Sequence, residues 1–241
     1  MSAESLAEPR PSSEFLTGVR ESVPIVLAVV PFGLLFGALA VEHGLSLFQA
    51  VLMSATIYAG ASQMVGIELF NANVAPWVVV LSIVSVNFRH VLYSATIGRY
   101  LGHWTPLQRG LGFFFLVDPQ FAETERRAET HRPLTFAWYM GVALPVYACW
   151  VIETWLGAVF GRFIPDAREF GLDFILPIYF LAMVMSFRKR PLWLAVVGVS
   201  AIASIVSYRT IGSPWHVPIG ALAGVMLGAA VVPAATEEDR H

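Results

Sequence analysis

Residues 74–97 read VAPWVVVLSIVSVNFRHVLYSATI, an apolar run that carries Arg89 between Phe88 and His90. The run is long enough to cross a membrane as a helix, which takes roughly 20 residues. A guanidinium at that depth is costly, and it is accepted only where it faces a protein interior or a water-filled cavity. The stretch therefore predicts a membrane-spanning helix in which Arg89 faces the interior of the protein and has a function there.

The composition of the whole chain supports a membrane protein. Its 241 residues are 56% hydrophobic and only 13% charged, which is more apolar than one soluble core of this length requires. The strict alternation of a membrane β-barrel is absent, so we predict an all-α, polytopic fold. A net charge of −2 without a basic face argues against nucleic-acid binding. The single cysteine, Cys149, excludes a disulfide within the chain.

The apolar segments predict a transmembrane helical bundle of about seven or eight membrane segments, some broken or re-entrant. Seven are placed at about 23–41, 47–70, 75–100, 133–157, 172–187, 191–208 and 215–233. Residues 104–121 have a short apolar centre and form either a broken span or a re-entrant element. Residues 23–233 are predicted to be a single transporter domain. Residues 1–22 are predicted to be a largely disordered cytoplasmic tail, and 234–241 a polar tail.

Basic clusters orient the chain in the membrane. The run Arg188-Lys189-Arg190 and the group of Arg126, Arg127 and Arg132 mark cytoplasmic segments. An amino terminus on the same side requires an even number of crossings before residue 122. With three spans already counted there, this orientation favours a crossing by residues 104–121, but the sequence leaves open whether they cross or re-enter the membrane.

Two short motifs share one spacing of proline and glycine. Val30-Pro31-Phe32-Gly33 matches Val217-Pro218-Ile219-Gly220. Broken helices at corresponding positions point to the central site of a transporter, so Pro31, Gly33, Pro218 and Gly220 are predicted helix breaks. Close packing through small residues explains the same pattern, and the sequence leaves both interpretations open.

The second predicted span is interrupted by small residues in Tyr58-Ala59-Gly60-Ala61-Ser62-Gln63. One interpretation is ordinary helix packing through small side chains. The other is an unwound stretch at Gly60, whose backbone amides and Gln63 side chain meet the charged groups of a zwitterion. Gln63 favours the second, because an amide in lipid needs partners.

Asn87, Arg89 and His90 form a second candidate group, and Asp118 is the expected partner of Arg89. A pair that merely locks helices together is a competing interpretation. An imidazole titrates near neutral pH, which suits His90 to a proton relay. Glu68 and Glu153 lie within or near the ends of apolar segments. Either is able to take a proton, but an interfacial position is the commoner explanation for acids so placed.

Motifs for other chemistries are missing from the sequence. It contains no phosphate-binding Gly-x-x-x-x-Gly-Lys, no nucleophile elbow and no His-Glu-x-x-His. The histidines have no spacing typical of a metal site. We therefore predict no enzyme activity, no cofactor and no metal.

Four motifs together resemble the AzlC family of branched-chain amino-acid permeases. They are Pro31-Phe32-Gly33, the Tyr58 to Gln63 run, Asn87-Phe88-Arg89-His90, and Asp118 before Phe121, and the similarity extends from about Gly18 to Val232. The resemblance implies a multi-pass exporter in the bacterial inner membrane for valine, leucine, isoleucine and sometimes methionine. It also implies a proton-motive force as the energy source and a small partner membrane protein of the AzlD family.

On this interpretation Tyr58, Gln63, Asn87 and Arg89 bind the substrate, and Asp118 or His90 carries the coupling proton. A transporter of another small solute, or a non-transporting scaffold or regulatory membrane subunit, stays open as an alternative. The sequence leaves undecided the preferred amino acid, the direction of transport and the coupling ion.

Overall fold

The computed structural model describes residues 11–70, 75–161, 178, 181, 184–185, 187–212 and 215–231, and every regular element in that part of the chain is a helix. The predicted all-α fold class is confirmed. The helices are α1 (Pro11–Glu42), α2 (Leu47–Ile57), α3 (Gly60–Phe70), α4 (Pro76–Gly98), α5 (Pro106–Phe114), α6 (Asp118–Glu129), α7 (Phe136–Phe160), α8 (Trp193–Thr210) and α9 (His216–Val231). The predicted tail 234–241 and most of the predicted span 172–187 lie outside the described residues.

Four of the described helices are long and apolar enough to cross a membrane, namely α1, α4, α7 and α8. They coincide with the predicted spans 23–41, 75–100, 133–157 and 191–208. Helix α2 and the part of α9 from Ile219 to Val231 are apolar but shorter. Many large apolar side chains are exposed on these helices, among them Leu27, Trp77 and Leu194. Such a surface suits contact with lipid rather than water.

The contacts within the chain divide it into two compact units, where the sequence analysis assumed one domain. Among the described residues, the first unit holds 11–70 and 87–161, and the second holds 75–86 and those from 178 onward. In the second unit, Gly220 of α9 packs against Ser200 and Ser204 of α8.

Helices α1 and α7 pack closely along their length because glycines replace larger side chains where they meet. A Cβ atom at Gly18 would lie 2.9 Å from the Val142 nitrogen, and one at Gly37 would lie 2.7 Å from the Ala158 nitrogen. Contacts between small residues of this kind bring helix backbones together. Because residue numbers rise together along both helices, α1 and α7 run parallel, and their first turns lie at the same end.

The first turns of α1 differ from the prediction. Residues 11–22 were assigned to a disordered tail, but they are helical, and Glu14 and Ser22 are buried. Glu14 forms an ion pair with Arg127, and Glu21 accepts hydrogen bonds from Arg132 at 3.1 Å and from the Trp138 indole at 2.6 Å. These partners follow more than 100 residues later in the chain, which is why composition alone assigned the segment to a tail.

Residues 47–70 form two half-length helices instead of one continuous span. Helix α2 ends at Ile57 and α3 begins at Gly60, with Tyr58 in the left-handed conformation at φ 38°. The Gln63 side chain donates a hydrogen bond to the Ser54 hydroxyl at 3.1 Å. In a straight helix those two residues would be about 13 Å apart along the axis. Helix α3 therefore folds back toward α2.

Residues 104–121 enter the first unit and return to the same end, which fits the re-entrant alternative and not the crossing that the orientation argument favoured. Helix α5 has 9 residues, which gives about 13 Å against the roughly 30 Å of a bilayer core. It begins beside Trp104, whose ring contacts Phe136 in the first turn of α7. At the other end of the segment, Arg127 of α6 donates to the Pro133 carbonyl at 2.8 Å, just before α7. Both ends of the α5–α6 hairpin thus lie near the start of α7.

Three of the five predicted helix-break residues do not interrupt the backbone at all, and a fourth lies in a first turn. Helix α1 is continuous through Pro31 and Gly33. Helix α9 begins at His216, so Pro218 stands in its first turn, where a backbone N–H has no helical acceptor, and Gly220 follows inside the helix. Gly33 makes room for the Glu153 side chain. Close packing explains these glycines, and only Gly60 lies at a break.

Candidate functional site

The two helix breaks of the first unit meet about halfway along α7. The Tyr58 ring, at the α2–α3 break, lies 6.4 Å from the Phe114 ring and 6.2 Å from the Phe115 ring, at the tip of the α5–α6 hairpin. Its distance to the Tyr147 ring of α7 is 4.9 Å. Four aromatic rings therefore surround the meeting point of two interrupted helices.

The two interrupted elements approach this point from opposite ends of α7. Helix α5 starts near Phe136, whereas Ser54 of α2 hydrogen-bonds Thr154 at 2.7 Å and the following turn reaches Tyr147. The Tyr147 hydroxyl donates to the Ala55 carbonyl at 2.8 Å, an oxygen that the break frees from its helical partner. Helix ends at this depth expose carbonyl oxygens, amide hydrogens and their partial charges. Such carbonyl oxygens and amide hydrogens can interact with the ammonium and carboxylate groups of a zwitterion.

The predicted pair of Arg89 and Asp118 is formed. The Arg89 Nη1 atom lies 3.0 Å from Asp118 Oδ2, and the two side chains are 17% and 11% exposed. The Tyr93 hydroxyl donates to Asp118 Oδ1 at 2.9 Å, and its ring stacks on Phe121 at 4.1 Å. Asp118 is the first residue of α6, where the helix dipole favours a carboxylate. The site thus holds a largely buried, hydrogen-bonded ion pair at the hairpin tip.

Asn87 and Gln63 both take part in hydrogen bonds at the α2–α3 break. The Ser62 hydroxyl donates to Asn87 Oδ1, and Asn87 precedes Arg89 by two residues on α4. Next to Ser62, the Gln63 side chain is fully buried; its Nε2 atom donates to Ser54, and its Oε1 atom has no partner among the described residues. A buried carbonyl oxygen without a donor is costly, and Gln63 Oε1 is such an atom.

His90 lies beside this group rather than within it. Its ring meets the Tyr93 ring edge-on at 5.7 Å, and Tyr93 in turn binds Asp118. Adjacent residues of a helix point about 100° apart, which places His90 and Arg89 on different walls. The first unit therefore holds Tyr58, Gln63 and Asn87 at the α2–α3 break and the Arg89–Asp118 pair at the hairpin tip, with His90 beside Tyr93.

An interfacial, water-accessible position was the commoner expectation for Glu153, but its side chain is buried between helices. It lies inside α7 and is only 5% exposed. A sequence signal existed, because Glu153 precedes Gly157 and Gly161 at four-residue spacing, and residues so spaced share one helix face. That face packs on α1. Glu68, by contrast, is exposed near the end of α3.

The sequence did not predict the pair of Glu14 and Arg127, just as it did not predict the burial of Glu153. Arg127 is 2% exposed, stacks over the Trp138 ring at 4.4 Å, and contacts Glu14, which also accepts from the Thr135 hydroxyl at 3.2 Å. Burial lowers the pKa of Arg127, although Glu14 opposes the effect. No sequence pattern pairs two residues so distant in the chain. In the part of the chain that the structure describes, no three His, Cys, Asp or Glu side chains cluster as metal ligands.

Comparisons with known proteins find membrane proteins among the relatives of this chain. The family model described as AzlC protein matches residues 24–164. The chain is 31% identical to "Inner membrane protein YgaZ" of Escherichia coli, over 92% of this chain and 91% of that protein. It is 32% identical to an "Uncharacterized membrane protein" of Archaeoglobus fulgidus, over 80% and 84%. It is also 23% identical to "Branched-chain amino acid transport protein AzlC" of Bacillus subtilis, over 78% and 74%. No solved structure matches the chain.

Proposed function

The chain belongs to the AzlC family of membrane transport proteins, and from this premise we propose that it exports branched-chain amino acids across the bacterial inner membrane. Valine, leucine and isoleucine are the proposed substrates, and methionine is a further one. The name of the Bacillus subtilis relative supports the substrate class, and the name of the Escherichia coli relative supports the membrane. We propose no catalytic activity and no cofactor.

One observation carries the proposal: two interrupted helices meet beside a buried ion pair, halfway along a membrane-spanning helix. Discontinuous helices that converge on a polar group are typical of transporter substrate sites. A ligand there finds both a few directed polar groups and apolar walls, which is the usual composition of a small-molecule site. An amino acid with an apolar side chain has matching chemistry.

The polar groups suggest how such a substrate is held. Its carboxylate pairs with Arg89, which can bind two oxygens at once, while Asn87 supplies an amide. Its ammonium group donates to the Gln63 Oε1 atom, which is without a partner among the described residues. The side chain packs among the Tyr58 and Phe114 rings, which stack on one another.

The ion pair also suggests how transport is coupled to protons. The substrate carboxylate competes with Asp118 for the Arg89 guanidinium. An acid that loses its cationic partner in a poorly hydrated place favours its protonated form, so Asp118 takes up a proton when substrate binds Arg89. His90, beside Tyr93, passes the proton on. The gradients and the affinities at the two faces then decide the direction of net flow.

The test is efflux of labelled valine from cells preloaded with a valyl dipeptide. The chain is expressed alone and with a small partner membrane protein of the AzlD family, before and after the proton gradient is collapsed. We expect faster efflux only with both subunits and only with the gradient intact. Unchanged efflux with both proteins shown in the membrane would overturn the proposal. Faster uptake without faster efflux would overturn the direction alone.

A further inference from the structure

The Glu153 carboxyl group is enclosed between α1 and α7. It is 5% exposed, and its Oε2 atom has no hydrogen-bond partner among the described residues. Gly33 of α1 faces it, and a Cβ atom there would lie 2.7 Å from the Glu153 Cβ and would overlap the carboxyl group. The interface is therefore shaped around an acid side chain.

Among the residues that the structure describes, the helices around Glu153 offer no cation to balance a negative charge. Helix α1 has no ionisable side chain between Ser22 and Val41, and α2 has none at all. Helix α3 has only Glu68, near its exposed end, and on α7 the thiol of Cys149 lies one turn earlier. An ionised carboxylate that is buried without a cation or donor is strongly disfavoured. The neutral carboxylic acid suits this place.

Glu153 lies next to the series of hydrogen bonds that joins α3, α2 and α7 at the α2–α3 break. Its neighbour Thr154 hydrogen-bonds Ser54 at 2.7 Å, and Ser54 accepts from Gln63. One turn earlier on α7, the Trp150 ring lies against Gly60, the first residue of α3. A movement of α3 that opens this region would therefore let water reach Glu153.

We infer that Glu153 is a second protonation site, separate from Asp118 and His90, and that it carries a coupling proton. In the enclosed conformation the carboxylic acid keeps its proton. When the region around Gly60 becomes hydrated, the O–H bond of the acid breaks, the proton passes to water, and the electron pair stays on the carboxylate. The coupling role rests on the proposed function, whereas the protonation state does not.

The protonation state is tested by infrared spectroscopy on the purified chain at neutral pH. Wild type and the control Glu68→Gln should show the carbonyl stretch of a buried carboxylic acid, and Glu153→Gln should lack it. Gel filtration and thermal unfolding establish that each variant is folded. Should Glu153→Gln not fold, titration of wild type to alkaline pH must convert the band into a carboxylate band. Identical spectra for folded wild type and Glu153→Gln, or a wild type without the band, would overturn the inference.

The coupling role is tested by two transport modes. We expect Glu153→Gln to retain exchange of labelled for unlabelled valine, which needs no net proton movement, and to lose the stimulation of efflux by the proton gradient. Glu68→Gln should behave as wild type. Gradient stimulation that persists in Glu153→Gln would overturn the coupling role. If wild type itself moves no branched-chain amino acid, the proposed function fails, and the infrared result still decides the protonation site.

Discussion

Gln63 of α3 donates a hydrogen bond of 3.1 Å to the hydroxyl of Ser54 on α2, although the chain between them would span several turns of a straight helix. Ser54 in turn binds Thr154 of α7 at 2.7 Å. This buried relay fixes the bend of the second apolar segment to a helix that crosses the membrane. The bend is therefore a defined part of the fold, and its surroundings should tolerate little change.

The first prediction concerns the close packing at this bend. A Cβ atom at Gly60 would lie 2.7 Å from Phe32 Cε1 and 2.8 Å from Trp150 Cη2. Overpacking of this kind costs about 1–3 kcal/mol, so Gly60→Ala should lower the thermal unfolding temperature of the purified chain. Gly110→Ala is the control, because a Cβ atom at Gly110 meets nothing within 4 Å. Equal unfolding temperatures for the two variants would contradict this account of the break.

The second prediction separates transport from structure at the ion pair. Arg89→Ala should abolish valine efflux while the amount of folded protein in the membrane stays near that of wild type. Arg99→Ala is the control, since Arg99 directly follows the last residue of the same helix and is exposed. The measurement is efflux divided by the amount of protein in the membrane. If Arg89→Ala removes folded protein instead, the pair with Asp118 is a lock between helices.

The third prediction compares a buried with an exposed ion pair. Glu14 and Arg127 are largely buried, so Glu14→Gln leaves an uncompensated guanidinium and should cost about 3–5 kcal/mol. In the pair of Glu123 and Arg126 the arginine is 56% exposed, and Glu123→Gln should cost no more than about 1 kcal/mol. Unfolding of both variants in detergent measures the difference. Similar losses would show that Glu14 and Arg127 are hydrated in solution.

Apolar length and periodicity were sufficient to predict the helical membrane fold and four of its spans, because burial in lipid depends on local composition. The Arg89–Asp118 pair was also predictable, since two opposite charges in apolar segments need each other. The small-residue run at Gly60 correctly marked an interruption. Each of these features can be predicted either from the residues of one segment or from the need of a buried charge for a partner.

The features that the sequence did not predict depend on which segments pack together in the folded chain. Pro31 and Gly33 looked like a helix break, yet Gly33 is small because Glu153 occupies the space beside it. The composition of residues 11–22 predicted disorder, because composition does not reveal their ion pairs with Arg127 and Arg132. Hydropathy alone does not distinguish a helix that crosses from two half-length helices that turn back, as residues 47–70 show.

The last prediction tests the course of the α5–α6 hairpin with single cysteines in a Cys149→Ser background. Arg109 and Arg126 are exposed, and both lie near the start of α7, whereas Glu42 ends α1 at the opposite end. A thiol reagent that cannot cross membranes should therefore label Arg109→Cys and Arg126→Cys from the same side, and Glu42→Cys from the other.

Intact cells and inverted membrane vesicles supply the two orientations for this labelling. If residues 104–121 crossed the membrane, Arg109→Cys and Arg126→Cys would react from opposite sides, and the hairpin would be wrong. If both Arg109→Cys and Arg126→Cys are labelled only from the same side, the chain must turn back between these two positions. Because α1 and α7 run parallel, the amino terminus and residues 126–132 then share one face of the membrane without a crossing at α5.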